Sequence, residues 1–167
     1  MIDASTLLNL LATDRIEQIA RSIADTCLIC AVVEKECLTL RSADGSRVEP
    51  VTIDPYIASF TLTRCEMNEA EADDYVTFSA SIDDGEAMSL AIARARGYSL
   101  VTDDRKARGF AISAGVSVYG TTTILRYWAD ENAVADVGQL LGAIERRARY
   151  RPPDDDPHFS WWMGLRQ

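Results

Sequence analysis

Residues Asp83 to Arg105 read DDGEAMSLAIARARGYSLVTDDR. Met88, Ala91, Ile92 and Ala95 fall at i, i+3, i+4 and i+7, which predicts one apolar face of a helix. Gly97 stands where that helix would stop, because glycine takes the left-handed backbone of a C-terminal cap without a Cβ penalty. The next residues, YSLVT, predict a short buried strand. A helix that feeds a buried strand through a tight stop is part of a β-α-β unit. The stretch also carries acids at both loops: Asp83, Asp84 and Glu86 ahead of the helix, and Asp103 and Asp104 after the strand.

The same alternation extends in both directions. Upstream, residues 1–3 predict a minimal first strand, and STLLNLLA begins a helix at once. In TDRIEQIARSIAD, Ile16, Ile19, Ala20 and Ile23 again share one helix face, with Thr13 or Asp14 as the expected N-cap. TCLICAVV predicts a buried strand and VEKECLTLR a helix. Residues 42–67 carry turn chemistry in SADGSRVEP and β-like runs in VTID and ASFTLTRCEM, an excursion at the sheet edge. NEAEADDYVTFSASI predicts a helix with Ala72, Tyr75, Val76 and Ser79 on one face. Downstream, RKARGFAISAG is a helix, VSVYG a strand, and TTTILRYWADENA and VGQLLGAIERRARY are closing helices. The order is mainly β-α-β-α, which predicts a parallel sheet with helices on both faces. Residues 1–150 form the expected single domain. Residues 151–167, with Trp161 and Trp162, form a tail that packs either on the domain or on a second subunit.

The totals narrow the function classes. The chain has 167 residues and a formal net charge of −9. An acidic protein repels nucleic acid at long range, so any nucleic-acid chemistry must work through bound cations or a local basic patch. Two basic runs qualify: Arg105, Lys106 and Arg108, and then Arg146, Arg147, Arg149 and Arg151; a solvated helix face is the competing reading. The start, MIDASTLLNLLATD, lacks the basic region of a signal peptide, and no apolar run reaches membrane-spanning length, so a cytoplasmic protein is expected. Cys27 and Cys30 form a C-x-x-C pair, but there is no second pair and the sole histidine, His158, is remote. A tetrahedral zinc set is therefore missing, and reduced core cysteines are expected.

Four segments deliver acids to what would be one edge of the sheet, where open α/β sheets bind ligands: Asp3, Glu34 or Glu36, Glu86 beside Asp83, and Asp103 or Asp104. Clustered carboxylates raise one another's pKa unless a cation joins them. Mg²⁺ or Mn²⁺ prefers such oxygen ligands and can activate water for attack on phosphorus. Each acid is also a plausible helix cap: DDGE matches a capping box with Asp83 as the cap, TDDRK offers Thr102, Asp103 or Asp104, and Asp3 precedes the first helix. Residue type and spacing leave both roles open. Aspartate-based phosphotransfer fits less well, since a phosphatase needs a second Asp where Ser5 stands and no receiver-type Asp and Lys pair is present.

MIDASTLLNLL, EKECL, DDGEAMSLAIARARG and LVTDDRKAR, in this order, resemble the PIN-domain family, and most closely a PIN-like subfamily related to the toxin ribonucleases of bacterial toxin–antitoxin pairs. The resemblance spans about residues 1–130 and fades over 42–67. It implies a three-layer α/β/α sandwich and an endoribonuclease that uses Mg²⁺ or Mn²⁺. It implies that Asp3, Glu86 and Asp103 or Asp104 hold the metal, with Asp104 selected by the T-x-D pattern. Glu36, followed by Cys37 and Leu38, fits the second position better than Glu34, and would bind the ion or orient the attacking water. Ser5, Arg105 and Arg108 are expected at the RNA, although Ser5 suits a capping role better. A small antitoxin protein and a homodimeric state belong to the same expectation. The low basic content and the Trp-rich tail support the alternative of a PIN-like binding module without strong nuclease activity.

Overall fold

The protein is described from a computed structural model, which covers residues 1–37 and 39–166. Two parallel strand pairs form the core of the sheet. β1 (Cys27–Cys30) pairs with β4 (Leu62–Cys65), and β5 (Leu100–Val101) pairs with β6 (Val118–Tyr119). Residues 1–3 join them. The Ile2 amide donates to Leu28 O at 2.9 Å, the Asp3 amide donates to Val101 O at 3.0 Å, and the Val101 amide donates to Met1 O at 2.8 Å. The resulting order is β4, β1, residues 1–3, β5, β6, with a single parallel bridge at Ile2 and Val101 in place of the expected first strand. Met1 locks this seam, because its ammonium group donates to Ser99 O at 2.7 Å.

Helices cover the sheet in two groups. α1 (Ala4–Leu11) packs on α2 (Ile16–Ile23), and both pack on α8 (Thr121–Asn132). α6 (Asp84–Arg96) packs on α3 (Ala31–Glu36), α5 (Ala72–Ser79) and α7 (Arg105–Ser113). This is the expected α/β/α arrangement. α6 is the central helix: Ala87, Leu90, Ala91, Ile92 and Ala93 are all buried. Its apolar face is therefore broader than the predicted stripe, and Ala95 is exposed. Gly97 ends it in the left-handed region at φ 68, as predicted.

Several local expectations are corrected. VEKECLTLR is not one helix: α3 ends at Glu36, and Thr39–Arg41 is strand β2, pairing antiparallel with β3 (Val48–Pro50). Leu38 lies outside the described residues. The hairpin is closed by Asp44, whose Oδ1 accepts from the Ser46 amide at 2.9 Å, and by Gly45 at φ 76. Residues 42–67 also hold a short helix, α4 (Asp54–Ala58). α2 starts after Arg15, not at a Thr13 or Asp14 cap; Thr13 Oγ1 accepts from the Arg15 amide at 3.0 Å. On α5, Val76 is 67% exposed while Phe78 is buried, so the buried face is rotated from the predicted one.

The tail folds back on the domain. α9 (Val137–Arg147) leads through Pro152 and Pro153 to α10 (Phe159–Gly164). Trp162 is completely buried, donates through Nε1 to Glu145 Oε1 at 2.8 Å, and packs edge-on against Tyr150 with centroids 5.7 Å apart. The second basic run is more than a solvated face: Arg147 donates to Ala12 O at 2.8 Å and pairs with Asp14 at 2.8 Å. Among the described residues, no helix is long and apolar enough to cross a membrane. All four cysteines are buried and free.

Candidate functional site

The site is organised around Asp3. It caps α1, its Oδ1 accepting from the Thr6 amide at 2.7 Å. Its Oδ2 accepts from Ser5 Oγ at 3.0 Å and from Thr102 Oγ1 at 2.7 Å. Ser5 therefore does not cap the helix; Asp3 does, and Ser5 supports Asp3. The carboxylate is only 2% exposed. Burial pushes its pKa above the ordinary range, and the bonds from Thr102, Thr6 and Ser5 oppose that rise.

Thr102 links this first segment to the loop after β5. Its hydroxyl donates to Asp3 and accepts from the Asp104 amide at 3.1 Å. The sequence alone offers Thr102 only as a cap candidate; the T-x-D spacing is the signal that points to its role. The following acids then part. Asp104 caps α7, with Oδ1 accepting from the Ala107 amide at 2.7 Å. Among the described residues its Oδ2 has no hydrogen-bond donor. Asp103 has both oxygens engaged: Oδ1 accepts from the Thr121 amide at 2.8 Å and Tyr150 OH at 3.2 Å, and Oδ2 accepts from Asn9 Nδ2 at 3.1 Å and from the Thr121 hydroxyl. Asp103 thus ties α1, α8 and the segment that follows α9 together. Gly120 makes room for it, since a Cβ there would lie 2.9 Å from Asp103 Oδ1.

The two glutamates approach from the other helix layer. Glu34 is held by Arg64 at 2.8 and 2.6 Å, which keeps its carboxyl below the usual range and its side chain over β4. Glu36 instead rests on the first turn of α6, where a Cβ on Gly85 would lie 2.5 Å from its Oε2. Burial raises the Glu36 carboxyl, and then Asp83, Asp3 and Asp84 do so by repulsion. Glu86 sits at the third position of α6. Burial pushes its pKa up to about 7, with Asp104 and Asp3 adding repulsion and the Asp83 amide opposing it. Asp83 occupies the N-cap position, but its side chain makes no capping bond, which corrects the expected capping box. The Cys37 thiol, beside Asp3 and Glu36, is pushed up to about 12, chiefly by burial, so it is neither a ready nucleophile nor a ready thiolate ligand.

The Asp3 charge therefore bears on Glu36, Glu86 and Asp103, and the Asp104 charge on Glu86; both Asp103 oxygens are taken by hydrogen bonds, and Glu34 is held by Arg64. Among the described residues, no three His, Cys, Asp or Glu side chains are gathered closely enough to form a finished shell for one ion. The donor set still fits a hard divalent cation that keeps several waters: it is all carboxylate, partly buried, and its two glutamates are raised by neighbouring acid charge. At the expected RNA contacts, Arg105 forms an ion pair with Asp155, and Arg108 Nη1 donates to Thr102 O at 3.2 Å.

Comparison with protein families matches residues 1–155 to the family described as a PIN domain. A search of curated proteins and a search of solved structures each returned no match. The matched span runs beyond the motifs of the first 130 residues and takes in Tyr150, Pro152 and Pro153. With its alternating order, its parallel sheet and the family match over most of its length, the chain belongs to the PIN-domain family.

Proposed function

We propose that the protein is a metal-dependent ribonuclease whose divalent ion, Mg²⁺ or Mn²⁺, is held by Asp3, Glu86 and Asp104, directly or through water. PIN domains are nuclease-type folds, and the carboxylate field supplies the chemistry such a fold needs. The observation that carries the reading is the convergence of four chain segments: Thr102 joins Asp3 to the Asp104 loop, Glu36 rests on the first turn of the helix that carries Glu86, and the Asp3 charge bears on both glutamates. When bound, a divalent ion supplies an activated water and offsets charge on the phosphate. The chain's own residues do the rest. Thr102 and Ser5 fix Asp3, Asp104 is fixed by its cap bond, and Glu36 at the exposed mouth orients the attacking water. Arg105 and Arg108 lie along the RNA path, and phosphate contact by Arg105 makes binding fall with salt.

The test is cleavage of single-stranded RNA with Mg²⁺ or Mn²⁺ by the wild type and by Asp3→Asn. The variant keeps an oxygen for the Thr6 amide and loses the charge, so activity should drop at least a hundredfold with the fold intact. Equal activity in both proteins, or none in either, removes the nuclease assignment. By family likeness, the same reading extends to a cytoplasmic toxin, active as a homodimer and neutralised by a small antitoxin protein. One observation favours a second reading, a PIN-like module that binds without strong cleavage: among the described residues, no three acids form a finished shell. Calorimetric titration with Mn²⁺ separates the two, because a binding module would show no saturable uptake.

A further inference from the structure

Beside Asp103 lies a cavity of about 320 Å³. Its size is at the small end of ligand pockets. Ile112, Pro153 and Pro157 provide apolar lining beside Tyr150, and Gly109, with no side chain, leaves one wall open. The carboxylates of the lining are all engaged. Asp103 accepts from four donors, Asp155 pairs with Arg105, and Asp156 accepts from Thr122 Oγ1 at 2.9 Å and the His158 amide at 2.7 Å. Arg108 is different. It is half-buried, uses Nη1 on Thr102 O, and among the described residues has no carboxylate within ion-pairing distance. Its guanidinium is a planar fork with further donors to give.

We infer that this cavity binds a guanine base, read by Arg108. A base is flat and apolar on its faces, which suits a lining of Ile112, Pro153 and Pro157. Guanine presents two adjacent acceptors, O6 and N7, that match an arginine fork. Adenine places an amino donor where guanine has O6, against a group that can only donate, and pyrimidines lack the paired acceptors. A bare phosphate would satisfy Arg108 but not the apolar walls. Unstacked bases of single-stranded RNA are recognised in this manner, by stacking and by their exposed edges. The inference deepens the ribonuclease reading, and rests on it, for the placement of a guanine next to the cleaved bond. The ligand chemistry is shared by a guanine in a strand and a free guanine nucleotide.

The test is binding, not cleavage. Uncleavable 2′-O-methyl RNA tetramers containing one G, A, C or U among neutral spacers are titrated calorimetrically at fixed salt with EDTA, alongside GMP and AMP. The G tetramer should bind about tenfold or more tighter than the others, the scale of one bidentate contact. Arg108→Ala should remove the preference. Gly109→Leu should block the cavity while melting no lower than wild type, because a Cβ at 109 meets nothing within 4 Å and leucine favours a helix. GMP binding as tightly as the tetramer assigns a free nucleotide; much weaker GMP binding assigns the strand. No preference for G, or a folded Gly109→Leu that binds the G tetramer like wild type, overturns the inference. Because EDTA excludes catalysis, a failed ribonuclease assay leaves this result standing, and cleavage without base preference does not rescue the pocket.

Discussion

Glu86→Gln isolates the electrostatic cost of the acid cluster. In the folded protein the Glu86 carboxyl is raised from 4.5 to about 7, first by burial and then by Asp104 and Asp3. A carboxyl raised on folding binds more protons in the native state than in the unfolded one, so stability falls as pH rises between those two values. Below the unfolded value the penalty is absent, and above pH 7 it is complete. A shift of about 2.5 units at ~1.36 kcal/mol each gives roughly 3 kcal/mol as an upper bound. Glu86 is only half-buried, and solvent screening reduces the figure to about 1–2 kcal/mol. Glutamine keeps the shape and removes the charge. In metal-free urea titrations, Glu86→Gln should be more stable than wild type by about 1–2 kcal/mol at pH 8 and equal to it at pH 4. In thermal melts that is about 2–8 °C for a chain of this size. A variant that is less stable at pH 8, or that differs equally at both pH values, would refute the reasoning.

The same account makes three further predictions. Saturating Mn²⁺ should raise the melting temperature of the wild type at pH 8, by about 2.7 kcal/mol of stabilisation at a hundredfold excess over Kd, and should do little for Asp3→Asn; scanning calorimetry reads both. Gly85→Ala puts a Cβ 2.5 Å from Glu36 Oε2 and must displace that carboxylate. Cleavage should fall by about tenfold to a hundredfold, the cost of a displacement of about 1 Å, while helix propensity keeps the melting temperature level or higher. Trp162→Ala should cost about 3–5 kcal/mol in urea unfolding, since the ring is fully buried and its Nε1 serves Glu145. A loss under about 1 kcal/mol would mean the tail does not pack on the domain.

The outline of the fold was legible because it rests on local signals. The apolar periodicity of α1, α2 and α6, the Gly97 stop and the short apolar runs of β1 and β5 all sit within a few residues of what they determine. The β2–β3 hairpin was not legible, since its strands are three residues each and β3 is exposed throughout. On α5 the spacing was right for a helix but the face was wrong, because Phe78 outcompetes Val76 for the core. The acids of the site were visible as acids. What separates them was not. Glu34 is removed by Arg64, thirty positions away, and Asp103 is engaged by Asn9, Thr121 and Tyr150 from three distant segments. Thr102, which joins Asp3 to Asp104, gains its role only when residues 99 positions apart meet across the sheet. Capping occupies one oxygen of Asp3 and one of Asp104, while Asp83, the expected cap, makes no side-chain capping bond.

The central claim is that Asp3, Glu36, Glu86 and Asp104 face one divalent ion. A crystal of the protein soaked in Mn²⁺ and measured for anomalous scattering tests it directly. The account predicts a peak among these four carboxylates, with Glu34 still on Arg64 and Asp103 still held by Thr121 and Asn9. Saturating Mn²⁺ with no peak there, or a peak bound through Glu34 or Asp103, would contradict it.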